Sequence, residues 1–227
     1  EGCDKHCTYC VIPKVRGSFR SFPIEYLVNQ TKKLVEGGVK EIILVAQETT
    51  LYGVDLYGKK SLPKLLHNLG IIEGLEWIRI LYCYPEEIND ELIEAIKNEP
   101  KVCHYLDMPI QHASDNILKR MGRRTSKQEL TDIVAKLRRE IPDIALRTTL
   151  ITGFPGETDV DHEEVMQFID ECEFDRLGVF TYSREEDTVA AQMPDQIDEE
   201  IKEKYRDELM QLQQEISADR SAAMIGR

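Results

Sequence analysis

Three cysteines stand close together at the start of the sequence. Cys3, Cys7 and Cys10 are spaced C-x3-C-x2-C in the segment EGCDKHCTYC. Three thiols on one short loop can converge on a single metal centre, whereas disulfide pairing among them would leave one thiol over. A structural zinc site needs a fourth ligand, and the sequence has no second C-x2-C or H-x3-H. An iron–sulfur cluster on three thiolates keeps one iron open, so we interpret the loop as cluster ligands, with zinc as the alternative.

The composition is that of a soluble globular protein. The 227 residues are 41% hydrophobic and 31% charged, and the longest apolar run, Ile42–Ala46, is too short to cross a bilayer. No signal peptide or basic leader opens the sequence, and the six cysteines follow no regular disulfide framework, so we expect a cytoplasmic location. The formal net charge of −13 disfavours direct nucleic-acid binding by this domain and favours a basic partner.

Hydrophobic periodicity predicts an alternation of strands and helices. Five runs rich in β-branched residues are typical of buried parallel strands. The predicted strands are Val39–Ala46, Trp77–Tyr82, Val102–Met108, Ile144–Ile151 and Arg176–Tyr182. The predicted helices are Ile24–Glu36, Leu62–Leu69, Asn89–Lys97, one around Ile117–Met121, one opened by a Ser126–Glu129 capping box, Val160–Cys172, and a long charged helix from Asp198 onward.

This alternation, without hairpin signals, predicts an α/β fold with a mostly parallel sheet. Right-handed crossovers would coil the strands into a barrel or into an open doubly wound sheet. Polar clusters follow several strands, at Gln47, at Gln111-His112 and at Gly153–Thr158, which is where (β/α) barrels place their chemistry. Only two residues precede Cys3, where a strand should lead into the loop. We therefore expect a piece of a longer protein, with its first strand truncated.

Short motifs accompany the cysteines along the whole chain. They are Glu1-Gly2-Cys3, Tyr9 directly before the third cysteine, Pro13-x-x-Arg16-Gly17, Gln47 with Tyr52-Gly53, and Gly153-Phe154-Pro155-Gly156-Glu157-Thr158. Together they resemble the methylthiotransferase family of radical S-adenosylmethionine (SAM) enzymes. Two positions depart from the family pattern, because Phe22 stands where arginine is usual and Asp187 replaces a usual glycine.

The family has one branch that modifies tRNA adenosine and another that modifies a ribosomal protein. Three stretches are similar to the ribosomal-protein branch: Gln47-Glu48-Thr49, Tyr105–Ser114 and Leu212–Ser217. The resemblance therefore implies addition of a methylthio group to the β-carbon of an aspartate in ribosomal protein S12 of the small subunit. Methylthiolation of tRNA adenosine is the alternative. A non-catalytic, zinc-binding interaction domain is a second alternative.

The resemblance also implies how the chain is organised. It implies a partial (β/α) barrel of the radical SAM type, with residues 1–197 as the radical SAM core and residues 198–227 as a C-terminal helix leading toward an absent TRAM domain. The family's N-terminal methylthiotransferase domain, which bears a second 4Fe–4S cluster, is absent as well. We therefore expect the isolated fragment not to be fully active. The implied partners are a basic ribosomal protein as substrate and a reductant such as flavodoxin or ferredoxin.

The family's chemistry assigns roles to individual residues. In the family, one electron from a 4Fe–4S cluster cleaves SAM to methionine and a 5′-deoxyadenosyl radical, and the protein supplies orientation. The resemblance implies Cys3, Cys7 and Cys10 as cluster ligands. For SAM it implies Tyr9 near the adenine, the turn at Gln47 facing the amino group, Arg147 on the carboxylate, Gln111 on the ribose hydroxyls, and Val179-Phe180 as an apolar wall on the adenine. Arg147 could equally bond a neighbouring loop.

Four further features each have an interpretation beside the cofactor site. His112 could move a proton there or be a satisfied histidine at a strand end. The Gly153–Gly156 turn lacks a Walker lysine, and its glycines would let the backbone approach SAM. The Arg123-Arg124 pair could contact ribosomal RNA or the absent domains, or lie in solvent at a helix end. The remaining thiols, which we expect to act as small buried apolar groups, are Cys83, Cys103 and Cys172.

Overall fold

A computed structural model describes residues 1–226 of the chain. Its strands are β1 (Glu41–Leu44), β2 (Trp77–Ile80), β3 (Val102–Asp107), β4 (Ala145–Thr152) and β5 (Arg176–Thr181). Its helices are α1 (Ile12–Arg16), α2 (Ile24–Glu36), α3 (Val54–Tyr57), α4 (Leu62–Gly70), α5 (Asp90–Asn98), α6 (Asp115–Arg120), α7 (Lys127–Glu140), α8 (Asp159–Cys172) and α9 (Glu199–Ala222). Over the described range, none of these helices combines the length and the apolar character needed to span a membrane.

The predicted alternation of strands and helices is confirmed. Each predicted strand overlaps an observed one, and the capping box of α7 is present: the Ser126 N–H donates to Glu129 Oε2 at 2.8 Å, and the Glu129 N–H donates to Ser126 Oγ at 3.3 Å. Helices α1 and α3 were not predicted. They span five and four residues, which is too short for a helical period to show in the sequence.

The described chain divides into two compact units. The first unit comprises Glu1–Asp4, Ile12–Met108 and Lys136–Ile144. The second unit comprises Lys5–Val11, Pro109–Ala135 and the described residues from Ala145 onward. The cysteine loop therefore contributes Cys3 to the first unit and Cys7 and Cys10 to the second.

The first unit is built on three parallel strands. β1 pairs with β2, and β2 pairs with β3 with a shift in register between Ile78 and Ile80. Helix α4 packs against α2, α5 and β2, and it buries four leucines at helical spacing, namely Leu62, Leu65, Leu66 and Leu69. This apolar stripe holds the helix layer on the sheet because burial removes it from water.

The second unit is built on the parallel pair β4 and β5, whose register runs from Arg147 opposite Arg176 to Thr152 opposite Thr181. In β4 every second side chain is buried, which is the period of a strand with one covered face. The long helix α9 packs on both strands and on α8. Its Gln213 Nε2 donates to the carbonyl oxygen of Phe174 at 2.8 Å. The parallel α/β class predicted from the sequence is confirmed.

A buried polar network fixes the start of α8 in the second unit. Thr158 and Asp161 form a capping box, in which each side chain accepts a hydrogen bond from the other's main-chain N–H. Asp161 is 6% exposed and also accepts hydrogen bonds from Ser114 Oγ at 2.5 Å and from the Asn116 amide at 3.3 Å. Burial alone would raise the pKa of Asp161, but the hydrogen bonds from Ser114, Thr158 and Asn116 outweigh it and lower that pKa.

Asp161 should make the stability of the fold sensitive to acid. Because its pKa is lowered by folding, its carboxylate contributes fully above the pKa of the unfolded chain, and this contribution is lost as the pH falls through the pKa of the folded state. We expect Asp161→Asn to lower the free energy of unfolding at neutral pH by about 1–3 kcal/mol. The same substitution should flatten the decline of that free energy below about pH 4.

Denaturant unfolding at a series of pH values measures both effects. Asp170→Asn is the matched control, because Asp170 lies on the same helix and its side chain is exposed. If Asp161→Asn and the unchanged protein lost stability equally on acidification, the assignment of this acid sensitivity to Asp161 would be wrong.

Candidate functional site

The first part of the cysteine loop is fixed by close contact with the main chain of Gly17 and Ser18. The Cys3 N–H donates a hydrogen bond to the Gly17 carbonyl oxygen at 3.2 Å, and Cys3 itself is 6% exposed. Gly2 has a left-handed φ of 74°, and a Cβ atom added there would lie 2.1 Å from the carbonyl oxygen of Ser18. Only glycine therefore fits directly before the first cysteine.

The second part of the loop is tied down around Thr8. The Thr8 N–H donates to the carbonyl oxygen of Met121 at 3.0 Å, and its hydroxyl donates to the carbonyl oxygen of Arg120 at 2.8 Å. The Thr8 carbonyl oxygen accepts a hydrogen bond from the Ala190 N–H at 2.9 Å. Three hydrogen bonds to one residue hold this segment in a fixed path within the second unit.

The thiols of the loop have the chemistry of a metal ligand set. Cys7 is buried, Cys10 is half-buried, and the Cys10 N–H donates to the Cys7 carbonyl oxygen at 3.1 Å, which closes a turn between them. All six cysteines lie within residues 1–226 and none is in a disulfide. No group of three or more His, Cys, Asp or Glu side chains in this range is arranged to hold a metal ion. Three thiols in this order nevertheless form the donor set of an iron–sulfur cluster, so the residue types fit such a group.

Tyr9 joins the cysteine loop to the core of the second unit. Its ring packs edge-on against Phe154, with 6.3 Å between the ring centroids, and Phe154 is fully buried. Burial and the neighbouring Cys7 raise the pKa of the Tyr9 phenol well above its ordinary value, while the guanidinium of Arg123 acts to lower it. The phenol therefore lies close to both a cysteine ligand and a buried cation.

The turn that begins at Gln47 is held by the strand ends of the first unit. The Thr49 N–H donates to the carbonyl oxygen of Tyr82 at 3.0 Å, and the Thr49 hydroxyl donates to that of Leu81 at 2.6 Å. The side-chain carbonyl oxygen of Gln47 is buried and has no hydrogen-bond partner within the described residues. Because a buried polar atom is costly to leave unpaired, Gln47 is well suited to accept a hydrogen bond from a bound molecule.

Gln111 occupies a strained backbone conformation in the second unit. Its φ is 74°, and it makes a single parallel bridge to β4, with its N–H donating to the Thr149 carbonyl oxygen at 2.9 Å and its own carbonyl oxygen accepting from the Ile151 N–H at 2.8 Å. Left-handed backbone at a non-glycine residue costs free energy and is concentrated at functional sites.

His112 is a buried histidine that follows Gln111. Its side chain is buried, and its Nδ1 accepts a hydrogen bond from the Ser114 N–H at 3.0 Å, so the ring proton resides on Nε2. That nitrogen lies 3.3 Å from Glu157 Oε1. The other oxygen of Glu157 accepts hydrogen bonds from the N–H groups of Gly153 at 2.5 Å and Phe154 at 3.0 Å. Neither of the two buried atoms that face each other, His112 Nε2 and Glu157 Oε1, makes a hydrogen bond within the described residues, so both interpretations of His112 stay predictions.

The neighbouring predicted residues Val179 and Phe180 face opposite sides of β5. Val179 is 9% exposed, whereas Phe180 is 60% exposed. Successive side chains of a strand alternate between faces, so the two cannot form one continuous wall. Arg147 shares the face of Phe180: a Cβ atom on Gly178 would lie 3.7 Å from the Phe180 ring and 3.8 Å from Arg147 Nη2. The structure therefore brings Arg147 and Phe180 together and separates Val179 from them.

The glycines of the Gly153–Gly156 turn make room for two long side chains. A Cβ atom on Gly153 would lie 2.0 Å from Lys202 Cγ, and one on Gly156 would lie 2.5 Å from Arg120 Cζ. Lys202 is 3% exposed, and its ammonium group donates a hydrogen bond to the carbonyl oxygen of Tyr182 at 3.0 Å. These contacts give a packing reason for both glycines, and the approach of the backbone to SAM at this turn stays a prediction.

Three predictions about basic and thiol side chains are resolved by burial. Arg124 is exposed, as expected for a helix end, but Arg123 is 6% exposed and is not in solvent. Cys83 and Cys172 are buried as predicted, and burial raises the pKa of the Cys83 thiol well above its ordinary value. Cys103 is only half-buried. Sequence reasoning missed the burial of Arg123 because a run of basic residues gives no sign of which side chain points inward.

Comparison with known proteins places the chain in a family. The family model described as the radical SAM superfamily matches residues 1–169. The chain is 66% identical over all 227 residues to a protein of Lachnoclostridium phytofermentans named ribosomal protein uS12 methylthiotransferase RimO, and it spans 52% of that protein. It is 56% identical over 227 residues to the protein of the same name from Clostridium perfringens, of which it spans 51%. The chain thus spans about half the length of these relatives.

Solved structures share the fold at low sequence identity. The radical S-adenosylmethionine methyltransferase TsrM from Kitasatospora setae superposes with a TM-score of 0.65 at 16% identity, covering 79% of this chain and 35% of that one. Methylornithine synthase (PylB) superposes with a TM-score of 0.66 at 12% identity, covering 95% of this chain and 60% of that one. The expected radical SAM type of fold is confirmed by these neighbours. From the family match and the shared fold together, the chain belongs to the radical SAM superfamily.

Proposed function

We propose that the chain is the radical SAM core of an enzyme that adds a methylthio group to the β-carbon of an aspartate in ribosomal protein uS12. The observation that carries this proposal is the 66% identity to a uS12 methylthiotransferase, which extends over every one of the 227 residues. Because the chain spans 52% of that relative, the complete reaction requires parts of a longer protein. Residues 1–197 would form the core, and residues 198–227 would lead toward a further domain.

The cysteine loop would hold a 4Fe–4S cluster through Cys3, Cys7 and Cys10. The spacing, the absence of a disulfide at these positions and the hydrogen bonds on Cys3 and Thr8 support this role. When bound, the cluster supplies the electron that cleaves SAM. The protein's part is to fix three thiolates and to leave the fourth iron open to SAM.

The SAM contacts would come from the residues that the family resemblance implies. The unpartnered side-chain oxygen of Gln47 could accept from an ammonium group, and Arg147 could pair with a carboxylate in a bidentate manner. Gln111 would meet the ribose hydroxyls, and the exposed ring of Phe180 would lie on the adenine. Tyr9, which packs on Phe154, would contact the adenine from the core side. Val179, which is buried on the other face of β5, would support that strand by packing.

Other assignments follow from the same relatives. The two relatives described above are named as ribosomal protein enzymes, which favours uS12 over tRNA adenosine and over a zinc-binding interaction domain. A basic ribosomal protein suits the net charge of −13. We also propose a cytoplasmic location, a flavodoxin or ferredoxin as reductant, and a second 4Fe–4S cluster outside this chain.

The substrate assignment can be tested by mass spectrometry. The full-length protein, reconstituted with iron and sulfide without oxygen, should add one methylthio group to a peptide that carries the target aspartate of uS12. The control peptide has asparagine in place of that aspartate and should stay unmodified. Methylthiolation of tRNA adenosine, with the uS12 peptide unchanged, would contradict the proposed substrate.

The cysteine loop can be tested through the glycine that precedes it. Gly2→Ala should lower the iron content of the reconstituted chain severalfold, because the new methyl group would overlap the Ser18 carbonyl oxygen and displace Cys3. Gly58→Ala is the matched control, since Gly58 has a similar left-handed φ of 69° but no atom within 4 Å of an added Cβ. Both variants bear a backbone cost of about 1–2 kcal/mol, so only the overlap separates them.

Iron and sulfide are assayed per chain after desalting, and circular dichroism verifies folding. An equal loss of iron in both variants would show that the approach of Gly2 to Ser18 does not position Cys3.

A further inference from the structure

Tyr82 is an exposed tyrosine in a left-handed backbone conformation. Its φ is 59°, and the residue is 46% exposed. Left-handed backbone is uncommon for residues other than glycine, asparagine and aspartate, and it is an outlier for a bulky side chain. The tyrosine therefore costs free energy at this position, and a ring that is exposed to this extent offsets only part of that cost by packing.

The ends of the neighbouring strands hold the backbone of Tyr82 in this conformation. The Leu81 N–H donates to the last residue of β1 at 3.0 Å, whereas the Cys83 N–H donates to the Asp107 carbonyl oxygen at the end of β3 at 2.9 Å. Between them, the Tyr82 N–H donates to Asp107 Oδ2 at 3.2 Å, and its carbonyl oxygen accepts from the Thr49 N–H at 3.0 Å. Because residues 81–83 use only main-chain atoms in these contacts, a glycine in place of the tyrosine could make all of them.

Four other non-glycine residues within residues 1–226 have a positive φ, and each has a separate explanation. One ends α8 in the left-handed conformation that commonly follows a helix. Two are aspartates, whose short polar side chains tolerate this conformation by bonding locally. One is implied by the family resemblance as a SAM contact. In that order they are Glu173, Asp187 with Asp195, and Gln111. The strain at Tyr82 is explained neither by turn chemistry nor by the proposed SAM contacts.

Tyr82 lies at an edge of the sheet that suits a bound molecule. It follows β2 at the carboxyl end, where parallel α/β folds bind their ligands. Its carbonyl oxygen holds Thr49 in the turn that begins at Gln47, and the buried side-chain oxygen of Gln47 has no hydrogen-bond partner within the described residues. The amino, carboxylate, ribose and adenine groups of SAM already have implied partners other than Tyr82. The ligand that remains is the second reactant, which has to lie against SAM for the two to react.

We propose that Tyr82 is a binding residue for the protein substrate, and that its strained backbone presents the ring at this edge of the sheet. This inference rests on the proposed function, because it requires a protein substrate beside SAM. An exposed tyrosine suits a peptide, since its ring offers a large contact area with few rotatable bonds and its hydroxyl can form hydrogen bonds. The face of the ring also attracts the lysine and arginine side chains of a basic protein.

The test compares two substitutions of Tyr82 in the full-length, reconstituted protein. Tyr82→Gly removes the ring but accommodates the φ of 59°, so the KM for the uS12 peptide should rise about tenfold. Tyr82→Phe keeps the ring and should raise that KM less than about threefold. Glu173→Gly is the matched control, since Glu173 has a left-handed φ of 44° and is exposed at the amino end of β5. It should leave the peptide KM unchanged.

Two further measurements exclude a structural role and a role in SAM binding. Because glycine relieves the backbone strain, the urea midpoint of Tyr82→Gly should be no lower than that of Glu173→Gly. Formation of 5′-deoxyadenosine without peptide should show an unchanged KM for SAM in Tyr82→Gly. An unaltered peptide KM, an equal rise in the KM for SAM, or a midpoint well below that of Glu173→Gly would each overturn the role of Tyr82.

The proposed function fails by a different result. If the protein without substitutions cleaves SAM but leaves the uS12 peptide unmodified, the proposed function is contradicted, and the role of Tyr82 in binding that substrate is contradicted with it. If it modifies the peptide and Tyr82→Gly does so with the same KM, only the role of Tyr82 is overturned.

Discussion

Main-chain hydrogen bonds to the cysteine loop are the constraint on which the proposed chemistry depends. A segment with three cysteines in eight positions is too short to form a helix or strand of its own that would set the direction of each thiol. The chain fixes it through Cys3 on the Gly17 carbonyl oxygen and through Thr8 on three main-chain partners. Because these contacts use main-chain atoms and the Thr8 hydroxyl, they do not involve the side chains that would bind the cofactors.

Both units place a strained polar residue beside the ends of parallel strands. Tyr82 follows β2 in the first unit with a φ of 59°, and its N–H donates to Asp107 Oδ2 at 3.2 Å. In the second unit Gln111 has a φ of 74° and is held by two main-chain hydrogen bonds to β4. Strain of this kind persists only where surrounding contacts over-determine the backbone. Regular strands thus act as rigid supports for irregular segments that carry polar side chains.

Three buried or half-buried cations lie against the irregular segments of the second unit. Lys202 fills the space beside Gly153 and bonds the Tyr182 carbonyl oxygen, and Arg120 lies over Gly156. Arg123 occupies the corresponding interior position beside the cysteine loop. Lys202 and Arg123 each donate a hydrogen bond to a main-chain carbonyl oxygen, while the surplus of acidic residues remains largely at the surface, where water solvates them.

The sequence predicts the regular elements of this fold well, because β-branched runs and helical spacing are local properties. Strand β4 (Ala145–Thr152), for example, overlaps the β-branched run Ile144–Ile151 that predicted it. The contact of Lys202 with Gly153 could not be predicted, because Lys202 lies far away in the sequence. The burial of Arg123 was likewise not predictable, since its guanidinium contacts the Pro109 carbonyl oxygen in a different segment. The opposed faces of Val179 and Phe180, by contrast, follow from strand geometry alone.

The nature of the metal centre is the central claim, and Mössbauer spectroscopy tests it most directly. The chain would be reconstituted with ⁵⁷Fe and sulfide without oxygen, and spectra would be taken before and after addition of SAM. The account predicts a 4Fe–4S spectrum in which one iron of the four changes its isomer shift when SAM binds, as expected for a site with three thiolate ligands. A chain that binds zinc with no iron or sulfide, or a cluster whose four irons are all unaffected by SAM, would contradict it.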